Sequence, residues 1–134
     1  MESINVIDKN EKNVLKKQNP DLHKGMLRVQ CSSQWIQVPF KNIIRLEGEC
    51  NYTIVYTAHN KYVAAKTLKD FEKLLDGSTF VRVHKSHIIN MCYLQKLEIE
   101  KKSREISIEG GRQVEVSRRR LRKVIDKIVF FRNS

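Results

Sequence analysis

The chain is 134 residues long, enough for one ordinary domain and too short for two comfortable ones. Its 40% hydrophobic content excludes a wholly disordered chain, and no apolar run has the length of a membrane-spanning helix. With 26 Lys+Arg against 15 Asp+Glu the formal net charge is +11, which predicts attraction to nucleic acid, an anionic membrane or an acidic protein.

Residues 1–25 are polar, with Pro20 ahead of the Gly25 break, and read as a flexible leader to a domain over 26–134. The first residues lack the basic-then-apolar pattern of a secretion signal, which favours the cytoplasm. A phosphoacceptor receiver domain needs roughly a hundred residues, more than this leader supplies. From Met26 the pattern has period two. Leu27, Val29 and Cys31 alternate with Arg28 and Gln30, and 35–38 follows a Ser32-Ser33 turn, which predicts a hairpin. Further strands are expected at 43–46, 52–57 and 61–65, with His59-Asn60 turning between the last two.

A helix interrupts them. Thr67 is a good N-cap with Asp70 three residues on; Leu68, Phe71, Leu74 and Leu75 form an apolar stripe, and Gly77 is the expected stop. Strands resume at 80–83, near 97–100, at 105–108 and at 113–116, with Lys102-Ser103 and Gly110-Gly111 as turns. A second helix, capped by Ser117, carries the stripe Leu121, Val124, Ile125, Ile128 and Val129. The fold class this gives is mainly β, with antiparallel sheets, a small central helix and a C-terminal amphipathic helix.

The basic residues Arg118, Arg119, Arg120, Arg122 and Lys123 fall in the first turns of that second helix, where the macrodipole disfavours positive charge. Contact with phosphate explains both their uniform sign and their position. Lys85 and Ser86, in a turn after a strand, suit a groove and a phosphate respectively. Asn51 suits an adenine edge or the needs of a turn, and Tyr52 a phosphate or the core.

Other chemistry has little support. His84 and His87 have no partners at four-ligand metal spacing, so neither a metal nor a cofactor is expected. Ser86 and Ser117 lack a nucleophile-elbow context and Cys92 an oriented base, which speaks against an enzyme. Cys31, Cys50 and Cys92 form no CxxC pair and read as reduced, largely structural thiols.

Ile44-Arg45-Leu46-Glu47 is followed by Asn51-Tyr52 and then by Thr67-Leu68. Next come Phe80-Val81-Arg82-Val83-His84-Lys85-Ser86, Ile88-Ile89-Asn90 and Val116-Ser117-Arg118-Arg119. In this order and spacing the chain, from about Val29 to Phe131, resembles the LytTR DNA-binding domain of bacterial transcriptional regulators. The resemblance implies an elongated set of antiparallel sheets that present loops, not a recognition helix, to successive grooves of bent double-stranded DNA. It also implies imperfect direct repeats in promoters, with a second copy of the chain on the second repeat.

Carried over by position, base reading would fall to Tyr52 with Asn51 beside it, to Lys85 and to Arg119. Backbone contacts would fall to Ser86, Asn90, Ser117 and Arg118, with Arg120 and Arg122 extending the basic cluster. Many relatives carry a receiver before this module and the leader here is too short for one, so a stand-alone regulator is expected, controlled by abundance, by a regulatory protein or by self-association. The rival reading is a basic β-domain that docks an acidic partner, with Phe130-Phe131 packing against another subunit.

Overall fold

The computed structural model describes residues 25–134, so the expected leader, apart from Gly25, lies outside the described residues. The strands β1 (Met26–Cys31) and β2 (Gln34–Pro39) pair antiparallel across Ser32-Ser33, where Ser32 takes a φ of 58° to reverse the chain. A single 3₁₀ turn, Phe40–Asn42, leads into β3 (Ile43–Glu49), followed by β4 (Tyr52–Thr57) and β5 (Lys61–Ala64). The short helix α1 (Leu68–Glu72) precedes β6 (Phe80–His84) and β7 (His87–Asn90). These strands make one five-stranded antiparallel sheet in the order β5-β4-β3-β7-β6. After a 3₁₀ turn at Met91–Tyr93, β8 (Leu94–Ile99), β9 (Arg104–Ile108) and β10 (Arg112–Glu115) form a separate three-stranded sheet. A 3₁₀ turn at Arg118–Arg120 then opens the helix α2 (Leu121–Arg132).

Period-two alternation along β6 and β7 sends side chains to opposite faces, and a core forms on each. Phe80 and Ile88 join Leu46 and Val55 beneath the β1–β2 hairpin and α1, which contributes Leu68 and the fully buried Phe71. Val81, Val83 and Ile89 face the other way, onto Ile106, Ile108, Val114 and Val116 and onto Val124 and Ile128 of α2. Burying a side chain such as Phe71 contributes roughly 1.5–3 kcal/mol. The central sheet is thus held from both sides, which fixes the loops at its ends.

The mainly antiparallel architecture matches the expected class, with several local departures. The helix expected to run to Gly77 ends at Glu72, and Leu74 is exposed. Asp76 offers its carboxylate to the Ser78 N–H (3.0 Å) and to the Ser78 and Thr79 hydroxyls, and this local bonding replaces a further helical turn. Strand β7 is not among the expected strands. Ile88, Ile89 and Asn90 are all buried, so the segment lacks the alternation that marks a half-exposed strand. Arg118–Arg120 lie in a 3₁₀ turn ahead of α2, with Arg122 and Lys123 in its first turn, and Ser117 makes no side-chain cap. Val129, expected on the buried stripe of α2, is 51% exposed.

Candidate nucleic-acid interface

The register of the central sheet gathers the candidate loops. Glu47 of β3 pairs with His87 of β7, so the Cys50-Asn51 reversal between β3 and β4 lies at the same sheet end as the Lys85-Ser86 reversal between β6 and β7. A backbone bond ties them together: the Gly48 N–H donates to the Ser86 carbonyl at 2.9 Å. A Cβ at Gly48 would sit 3.1 Å from Leu68 Cβ, so the glycine lets α1 close over this junction. The third element is joined to the second in the same way, by the Ser117 N–H donating to the Val83 carbonyl at 2.9 Å. Arg104 Nε adds a bond to the Val116 carbonyl (3.0 Å), fixing the chain just before the basic turn.

At the first reversal Cys50 takes a φ of 52° and Asn51 is exposed. The Tyr52 hydroxyl donates to Glu49 Oε1 at 3.1 Å. That hydrogen bond, with the charge of Glu49, pushes the phenol above its ordinary pKa, so Tyr52 remains a neutral donor. At the second reversal Lys85 is exposed and Ser86 half-buried. The Ser86 N–H donates to His84 Nδ1 at 3.1 Å, which selects the tautomer with its proton on Nε2. In the basic turn Arg118 and Arg119 are exposed and Arg120 is half-buried. Burial, followed by the neighbouring charges of Arg82 and Arg119, lowers the Arg120 pKa from its ordinary value. Arg119, Arg120 and Lys123 line an open groove with Arg82, where Glu72 and Asp126 are the acidic members. Arg122 is exposed on α2.

Two of the residues expected at the DNA backbone have their side-chain polar groups enclosed. Asn90 is fully buried and its amide is engaged: Nδ2 donates to the Ile43 carbonyl (2.8 Å) and the Phe40 carbonyl (3.3 Å), while Oδ1 accepts from the Cys92 N–H (2.9 Å). Such a side chain has no surface to offer a phosphate. Ser117 has its hydroxyl enclosed and without a partner, and its hydrogen bonds are made by its backbone: the N–H donates to the Val83 carbonyl and the carbonyl accepts from the Arg120 N–H. The cysteines also differ from expectation. Cys50 and Cys92 are exposed, and Cys31 is half-buried against the first core. Burial, then the charge of Asp76, raises the Cys92 thiol pKa, which lowers its thiolate fraction.

Sequence reasoning missed Arg82 and Glu72. Arg82 is a half-buried strand residue whose three guanidinium nitrogens all bond within the chain, one of them to Glu72. Its partners are two turn carbonyls and a carboxylate ten residues upstream, and no local pattern announces them. No three His, Cys, Asp or Glu side chains converge on a metal position among the described residues. No helix there is long and apolar enough to cross a membrane.

The His84 and His87 rings lie 5.4 Å apart, and His87 Nδ1 is enclosed without a partner. Burial pushes the His87 pKa down. Glu47 opposes this shift, whereas His84, Arg45 and Arg112 reinforce it. The folded state therefore binds this proton less readily than the unfolded chain, whose histidines titrate near about 6.5. Stability is expected to fall as pH drops below that value, and to level off once the folded-state pKa is passed. Thermal midpoints between pH 7.5 and 5 should decline less steeply in His87→Gln than in the parent. Equal slopes would remove His87 as the source.

The family model of the LytTr DNA-binding domain matches residues 33–128. The chain is 32% identical over 84 residues to the heme-containing CO-sensing transcriptional regulator RcoM 2 of Paraburkholderia xenovorans (strain LB400), covering 63% of this chain and 32% of that protein. It is 31% identical over 58 residues to the transcriptional regulatory protein LytR of Staphylococcus aureus (strain N315), covering 43% and 24%. The chain therefore spans about a third or less of the length of these curated relatives. Among solved structures, it superposes with a TM-score of 0.69 on a LytTr DNA-binding domain from a Bacillus cereus protein described as a methyl-accepting/DNA response regulator. That match has 24% identity and covers 78% of this chain and 96% of that one, which shows a shared fold. With the family match running from the β1–β2 turn to Ile128 of α2, the chain belongs to the LytTr DNA-binding domain family.

Proposed function

We propose that this chain regulates transcription by reading double-stranded DNA sequence-specifically through the loops at one end of its central sheet. The observation that carries the reading is the pair of backbone bonds, Gly48 to Ser86 and Ser117 to Val83, which bring together three segments far apart in sequence, each bordering one of the loops. In this reading Arg119 pairs bidentately with a guanine, Asn51 and Tyr52 approach a second base pair, and Lys85 a third. Ser86, Arg118, Arg120 and Arg122 hold the phosphates, and the net charge of +11 supports a strong, salt-dependent attraction. Promoter sites built as imperfect direct repeats, each repeat taking one copy, complete the proposal, with the cytoplasm as its compartment. The relatives RcoM 2 and LytR, named as transcriptional regulators, support the regulatory part of it.

The test is selection of bound duplexes from a random pool, followed by titration of the winner and a scrambled duplex across a salt series. A specific regulator should enrich a motif and favour the winner by at least about 10³-fold at physiological salt. Equal, steeply salt-dependent binding to both duplexes would reduce the site to a generic phosphate clamp. Absence of binding would favour the protein-docking reading, for which Phe130, 75% exposed near the chain end, is the supporting observation.

Within the basic turn, Arg118→Ala should weaken binding to every duplex to a similar degree. The slope of log affinity against log salt should fall by about one unit, as expected for one lost phosphate contact. A loss confined to one sequence would contradict that role.

A further inference from the structure

Arg82 lies on β6 three residues before Lys85 of the Lys85-Ser86 turn, with its side chain 16% exposed. Its guanidinium is turned toward its own chain. Nε donates to the His84 carbonyl at 3.2 Å, and Nη2 donates to the Lys85 carbonyl. Nη1 meets Glu72 Oε1 of α1 at 2.9 Å. One rigid planar group therefore holds two successive carbonyls of the turn while a carboxylate on a separate element sets its orientation. The turn carries Lys85, whose side chain is exposed.

This arrangement has an electrostatic cost. Arg82 stands beside Arg120, whose pKa is lowered first by burial and next by Arg82; Glu72 acts in the opposite direction. Two of the three bonds of this cation go to carbonyls of one short turn, so what it holds is that turn's conformation. It is well placed to keep a short loop in one conformation before a ligand arrives, which removes an ordering cost from binding.

We infer that Arg82 is a positioning residue for DNA reading: it locks the turn so that Lys85 meets its base pair in one geometry, with Glu72 as its orienting partner. The inference rests on the DNA-reading function proposed above. Lysine at this position keeps the charge but lacks the fork needed to hold both carbonyls and Glu72 together.

The experiment compares the parent, Arg82→Lys, Glu72→Gln, Lys85→Ala and the Arg82→Lys/Lys85→Ala double variant. Each is titrated against the selected duplex and a panel with single base-pair changes, alongside a thermal melt. Arg82→Lys should lose about tenfold in discrimination at the base pair that Lys85→Ala also relaxes, within the range that one base contact supplies. Its salt slope should match the parent's, because Arg82 touches no phosphate. In the Lys85→Ala background the same substitution should cost no further discrimination. Glu72 is half exposed, so Glu72→Gln keeps the fold and should show a smaller loss at the same base pair; it carries the test if Arg82→Lys melts below the assay temperature.

Unchanged discrimination in both Arg82→Lys and Glu72→Gln would overturn the inference, as would losses fully additive with Lys85→Ala. A salt slope reduced by about one unit would also overturn it, since Arg82 would then be a phosphate contact itself. A parent chain that discriminates among no duplexes would instead overturn the DNA reading, and the inference with it.

Discussion

Alanine in place of Arg119 is expected to weaken binding to the preferred duplex by about 1–3 kcal/mol and to abolish preference at one base pair. Arg119 is exposed in the middle of the 3₁₀ turn, and that turn is pinned at its start by the Ser117 N–H on the Val83 carbonyl. The Arg120 N–H, donating to the Ser117 carbonyl at 3.1 Å, closes the turn behind it. A side chain projecting from so constrained a backbone can meet a guanine edge with little freedom to lose, and a guanidinium matches O6 and N7 together. Truncation removes no core contact, so stability should stay within about 0.5 kcal/mol of the parent. It also removes one of the charges that depress Arg120. The measurement is a titration against every single base-pair variant of the selected site. A collapse of preference at one position, with the others intact, supports base reading. Equal weakening across the panel would reassign Arg119 to a phosphate, and unchanged affinity would remove it from the interface.

The parts of the fold that were legible are those whose signal is local. The hairpin at Ser32-Ser33, the strand at Tyr52–Thr57 and the Thr67 cap each follow from alternation, turn residues or a hydroxyl at the right spacing. The end of α1 was not legible, because the Asp76 carboxylate competes for the chain only once Ser78 and Thr79 have folded around it. The site shows the same division. Asn51, Lys85 and Arg119 stand on exposed turns, as their residue types and neighbours suggest. Arg82 and Asn90 belong to the same motif region, yet their roles depend on partners the linear sequence does not point to. Two asparagines, Asn51 and Asn90, offer the same chemistry, and burial alone separates a candidate reader from a structural tie.

That distinction makes Asn90→Ala the more telling of the large effects. The variant should lose about 2–5 kcal/mol of stability while its folded fraction binds the preferred duplex with the parent's affinity and salt slope. The Asn90 amide closes the end of β7 against the chain leading into β3, through the Phe40 and Ile43 carbonyls some fifty residues upstream. It also starts the following 3₁₀ turn through the Cys92 N–H. Alanine takes this partner from the Ile43 carbonyl and the Cys92 N–H, while the Phe40 carbonyl still accepts the Ile43 N–H; a buried group left unpaired costs about 1–3 kcal/mol. The Phe40 bond is the longest of the three at 3.3 Å and should contribute least, which keeps the total below a simple sum. Denaturant midpoints measure the stability, and titration at a temperature where the variant remains folded measures the binding. Parent-like stability together with a shallower salt slope would return Asn90 to the DNA backbone. A loss of stability with binding unchanged would show why an asparagine within a DNA-binding motif need not touch DNA: its amide ties the end of β7 to the chain leading into β3, at the end of the strand opposite the Lys85-Ser86 turn.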